Sequence, residues 1–104
     1  MKSMNVIEVF LPLDSGNGEP VEAGRIEAIV NELADCFGGA TAFLREPADG
    51  LWKGGAALER DRIIIIEVMI NEVDEAWWKA YRRQLERQFE QAEILIRVTA
   101  CNQI

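Results

Sequence analysis

The chain of 104 residues is 49% hydrophobic and 28% charged, the proportions of one ordinary globular domain spanning 1–104, large enough to bury a core without a disulfide or metal staple. Its 18 acidic residues against 11 basic ones give a formal charge of -7, which repels phosphate backbones and anionic membrane surfaces, so neither nucleic acid nor a membrane is expected as a partner. The sequence holds no histidine, which removes the commonest general base, the commonest zinc ligand and every nucleophile mechanism built on an imidazole.

The cysteines, Cys36 and Cys101, form no C-x-x-C or other metal-ligand spacing, so no metal and no cofactor is expected and a reducing cytoplasm fits best. Both read as small, buried or semi-buried residues. Lys2 precedes an apolar stretch, but Glu8 interrupts it and no small-residue cleavage site follows, against a signal peptide. The longest uninterrupted apolar run in the central part, Ile63 to Ile66, is far too short for a membrane span.

In chain order, Val6 to Leu13 predicts a first strand with Ile7, Val9, Leu11 and Leu13 on one face and Glu8 and Phe10 on the other. Asp14-Ser15-Gly16-Asn17-Gly18 is turn chemistry; it lacks the closing glutamate of a calcium loop, and Pro20 suits the first position of a helix. From Val21 to Phe37 the residues Ile26, Ile29, Val30, Leu33 and Phe37 recur at helical steps, and Gly38 or Gly39 can end the helix in the left-handed region. Ala40 to Glu46 predicts a second strand, stopped by Pro47.

The segment from Ala48 to Gly55 is glycine-rich but carries no phosphate-binding pattern, and it reads as an extended hairpin connection with Trp52 anchoring it. Ile63 to Ile70, mostly β-branched, predicts a third and central strand. Asp74 is a natural N-cap, with Val73 and Trp78 placed as a hydrophobic staple, for a helix running to about Gln91. Its stripe is Trp78, Tyr81, Leu85 and Phe89 or Gln88, while Glu75 with Lys79 and Arg82 with Glu86 are spaced as ion pairs. Trp77 and Trp78 point about a hundred degrees apart, so only one can be central to the core. Lys79, Arg82, Arg83 and Arg87 are the main basic cluster, and the acids beside them favour a solvated face over an anion site. Glu93 to Ala100 alternates as a last strand.

Strand-helix-strand therefore occurs twice, which predicts an α+β, ferredoxin-like βαββαβ domain: a four-stranded antiparallel sheet in the order four, one, three, two, with two helices on one face. An extra strand near Trp52 would give a swapped-hairpin or barrel-like variant. The run Phe37-Gly38-Gly39-Ala40-Thr41-Ala42-Phe43, then Gly50-Leu51-Trp52, then Trp78, Tyr81-Arg82, Leu85, Phe89 and Gln91 resembles a family of short, uncharacterised bacterial proteins. That resemblance spans nearly the whole chain and implies the same fold, without an activity. More loosely the outline is similar to the dimeric α/β barrel group, in which two subunits join their open sheet faces and some members bind or oxidise small organic molecules. The missing histidine departs from members that use one for haem or for proton transfer.

Alternation sends Glu8, Phe10, Ile65, Glu67, Met69, Leu95 and Arg97 to the sheet face away from the helices. Arg45 joins them if the registers align, giving a charged row Arg97, Glu8, Glu67, Arg45. Such a row is an interface salt-bridge network, the polar lining of a ligand pocket, or a carboxylate pair with a raised pKa. With Phe10, Ile65, Met69 and Leu95 around it, the face predicts a homodimer, and Trp52 joins the candidate ligand or interface residues. The expected function is a small, non-catalytic or ligand-binding protein. The alternative is an enzyme of the dimeric α/β barrel kind acting on a small organic molecule, with Glu8 or Glu67 as proton acceptor.

Overall fold

A computed structural model describes residues 1–14, 16–45 and 63–104, with backbone alone for 42–45. In chain order the elements are β1 (Lys2–Pro12), α1 (Ala23–Phe37), β2 (Thr41–Arg45), β3 (Ile63–Ile70), α2 (Glu75–Gln88) and β4 (Ile96–Gln103). The strands form one four-stranded sheet in the order β2-β3-β1-β4, and every neighbouring pair is antiparallel.

Period-two alternation along β1 and β3 decides what is buried. Ile7, Val9 and Leu11 on β1 and Ile66, Val68 and Ile70 on β3 meet Ile26, Ile29 and Leu33 of α1 and Trp78, Tyr81 and Leu85 of α2 in one core. Phe89 and Ile94 close its lower end. Each such side chain taken fully from water stabilises the fold by roughly 1.5–3 kcal/mol. At the other end Phe37 stacks on Trp78 with ring centroids 5.0 Å apart, and Trp77 stacks on Tyr81 at 5.0 Å. Trp78 is the buried indole and Trp77 the half-buried one.

The ferredoxin-like layout expected from the sequence is corrected on several points of element placement. β1 begins at Lys2 rather than Val6, and β4 occupies Ile96–Gln103 rather than 93–100. Both changes have one cause: Lys2 to Asn5 pair with Ala100 to Gln103, so backbone hydrogen bonding carries polar residues into the sheet where alternation gives no signal. Pro20 is not the first helical residue; it bridges back to Asp14, Glu22 takes the N-cap position, and α1 starts at Ala23. β2 begins at Thr41 rather than Ala40, and α2 ends at Gln88. Cys36 is exposed rather than buried, while Cys101 is half-buried. The connection from Ala48 to Gly55, with Trp52, lies outside the described residues.

Helix termini follow local chemistry. The Asp74 carboxylate accepts the Trp77 N–H at 3.2 Å, capping α2. Gly38, at φ 80°, closes α1 by donating its N–H to the Ala34 carbonyl at 2.8 Å. α2 closes differently: Gln91 N–H reaches the Glu86 carbonyl at 2.9 Å and Glu90 N–H the Arg87 carbonyl at 3.4 Å, a Schellman arrangement with Glu90 at φ 51° where glycine is usual. The turn after β1 locks onto this end. Gly16 donates its N–H to the Phe89 carbonyl at 3.0 Å, and a Cβ there would lie 1.7 Å from the Glu90 carbonyl oxygen.

Candidate functional site on the open sheet face

Because side chains alternate, the β1 residues between the core positions all project from the sheet away from the helices. The strand registers then decide which of them meet. Val6 stands opposite Met69 and Thr99, Glu8 opposite Glu67 and Arg97, and Phe10 opposite Ile65. Three charged groups therefore lie in one line across β4, β1 and β3, bordered by Val6, Met69 and Thr99 on one side and by Phe10 and Ile65 on the other.

Within that line the partnership is unequal. Arg97 donates from Nε to Glu8 Oε1 at 2.9 Å, and its guanidinium carbon lies 5.1 Å from the Phe10 ring centroid. The Glu8 side chain is 18% exposed and that of Arg97 54%, so the acid is sheltered and the base reaches outward. The hydrogen bond to Glu8, followed by the attraction of its charge, holds the Arg97 guanidinium above its ordinary pKa. Glu67, half-buried beside Glu8, has no hydrogen bond or ion pair among the described residues. Met69 and Leu95 are 41% and 55% exposed and form the apolar rim of this face.

Two placements differ from the sequence reading. Arg45 does not complete the row, since it stands opposite Ile63, and Thr41 is the β2 residue opposite Glu67. A long connection leaves the β2 register free, whereas a tight hairpin would have fixed it. Trp52 is among the residues not described. The Glu75–Lys79 pair forms at 3.3 Å, but the Arg82–Glu86 pair does not. Glu86 instead accepts the Ile94 N–H at 2.9 Å, satisfying a part-buried backbone donor just before β4.

Among the described residues no group of three or more acidic or sulfur side chains is arranged to hold a metal, and no helix is long and apolar enough to cross a membrane. No family model and no curated protein matches the sequence. Among solved structures the chain is similar to a phage SAM lyase in complex with S-methyl-5'-thioadenosine, with a TM-score of 0.65 over 95% of this chain and 82% of that one, at 12% identity. At that identity the likeness shows a shared fold and nothing of activity.

Proposed function

We propose that the chain is a small ligand-binding protein, acting without covalent catalysis, whose site is the open sheet face enclosed between two copies. The observation that carries this reading is the Arg97–Glu8–Glu67 line set among Val6, Phe10, Ile65 and Met69 on the open face, with Glu67 left without a partner among the described residues. A two-fold axis through the face lets Glu67 of one copy meet Arg97 of the other, since Nε alone of that guanidinium is engaged by Glu8. Burying Phe10, Ile65, Met69 and Leu95 supplies the apolar contribution to association. The proposal includes a reducing, cytoplasmic setting, in keeping with the free thiols Cys36 and Cys101, and membership of a family of short bacterial proteins sharing the Phe37–Phe43 and Trp78–Gln91 motifs.

A second reading, favoured by Glu67 having no partner among the described residues, is an enzyme acting on a small organic molecule with Glu67, or Glu8, as proton acceptor. A thermal-shift screen of small organic ligands that includes S-adenosylmethionine and S-methyl-5'-thioadenosine tests both, because a ligand that prefers the folded state raises its melting temperature. The binding reading requires a stabilising ligand that is recovered unchanged. Conversion of the ligand, lost in Glu67→Gln while binding persists, would establish the enzyme instead.

A further inference from the structure

On the helix side of the sheet, where α2 overhangs the edge strand β4, a cavity of about 170 Å³ lies between Glu75, Trp78, Lys79 and Arg82 of the helix and Ile96 and Val98 of the strand. Trp78, Ile96 and Val98 supply its apolar lining, and Val98 is 48% exposed, with no further strand beside β4 among the described residues. Its cations are not equivalent. Lys79 is paired with Glu75 at 3.3 Å. Arg82 has no acidic partner among the described residues, because Glu86, the acid one turn along, is turned to the Ile94 N–H, and the Arg82 Nε is shielded from water with no acceptor. A sheltered donor of this kind is seldom left unmade in a folded protein.

We propose that this cavity is a binding site for a small organic carboxylate with an apolar body: the body lies on Trp78, Ile96 and Val98, and the carboxylate supplies the counter-charge that Glu86 withholds from Arg82. Guanidinium recognition of a carboxylate is planar and charge-assisted, and the aromatic wall and aliphatic floor favour a flat or short-chain apolar body. The site is separate from the open face, which lies on the other side of the sheet, and it stands whether or not that face binds a ligand.

Sodium benzoate and its neutral isostere benzamide are the probes, followed by amide and indole NMR shifts of the whole chain. Benzoate is expected to move the Trp78 indole and the Ile96 and Val98 amides in a saturable way, and benzamide to bind about tenfold more weakly. Arg82→Gln, which keeps helix propensity, is expected to lower benzoate affinity about tenfold and to leave benzamide unchanged. Val98→Glu places an acid at the rim as an internal competitor and is expected to abolish the benzoate shifts in a protein whose other resonances stay dispersed. Benzamide binding as tightly as benzoate, undiminished benzoate binding in Arg82→Gln, or no saturable shift up to about 50 mM benzoate would each overturn the proposal.

Discussion

Arg97 and Glu8 face each other across the β4–β1 ladder with 2.9 Å between Nε and Oε1, and the same guanidinium covers the Phe10 ring. One exposed side chain thereby shelters an acid and an aromatic ring on a sheet face that points away from the helices. Since Arg97 is more than half exposed, water screens much of the attraction, and the pair contributes less than a buried one would. Denaturation of Glu8→Gln, Arg97→Gln and the double variant should show non-additivity: the double change is milder than the sum of the singles. Additive effects would show that the two residues do not support each other.

Phe89 is fully buried, with the Arg25 guanidinium carbon 4.7 Å from its ring centroid, and its carbonyl holds Gly16. Phe89→Ala leaves a cavity under both α2 and the turn after β1, and it should cost about 3–5 kcal/mol in chemical denaturation. A loss below about 1 kcal/mol would mean that this end of the core is not packed as described.

Glu86 ties α2 to the start of β4 through the Ile94 N–H. Glu86→Ala strands that donor and should cost about 1–3 kcal/mol, while Glu86→Gln keeps an acceptor and should cost less. Equal losses in the two variants would show that the side-chain oxygen is not what matters there.

Glu90 occupies a left-handed conformation that glycine adopts without Cβ strain. Glu90→Gly should stabilise the protein by roughly 0.5–1 kcal/mol, the relief of strain exceeding the extra chain entropy of glycine in the unfolded state. A destabilised variant would show that the Glu90 side chain makes a contact worth more than the strain.

Tyr81 is the chain's single tyrosine, and its hydroxyl is buried with no hydrogen-bond partner among the described residues. Burial, reinforced by the charge of Glu32, pushes its pKa above the ordinary value of 10.0. The folded state keeps the phenolic proton where the unfolded state has lost it, so this contribution to stability is full below pH 10.0 and falls as pH rises beyond it. Absorbance titration of the native protein should show no phenolate near pH 10.0. Tyr81→Phe, which removes an unsatisfied polar group, should be neutral or stabilising and should flatten the alkaline loss of stability.

What the sequence made legible is what side-chain periodicity controls. Ile7, Val9 and Leu11 fall inside and Glu8 and Phe10 outside because a strand alternates, and Asp74 caps α2 because a carboxylate there meets a free N–H. The failures lie where the backbone decides. Asn102 and Gln103 give no strand pattern, yet pairing with β1 carries β4 through them. Thr41 rather than Arg45 reaches the row opposite Glu67 because register across a long connection has no local signature. Arg82, without an acidic partner among the described residues, is hidden for a third reason: helical spacing offers it Glu86, and only the folded chain shows that acid committed to Ile94.

The central claim is that a second copy covers the open face, and the mass of the protein in solution tests it most directly. Light scattering of the wild-type chain should return twice 11.7 kDa, and replacing Met69 and Leu95 by glutamate should return a folded monomer, because charge on the apolar rim opposes its burial. A wild-type mass of 11.7 kDa at high protein concentration, or a dimer indifferent to both substitutions, would contradict the account.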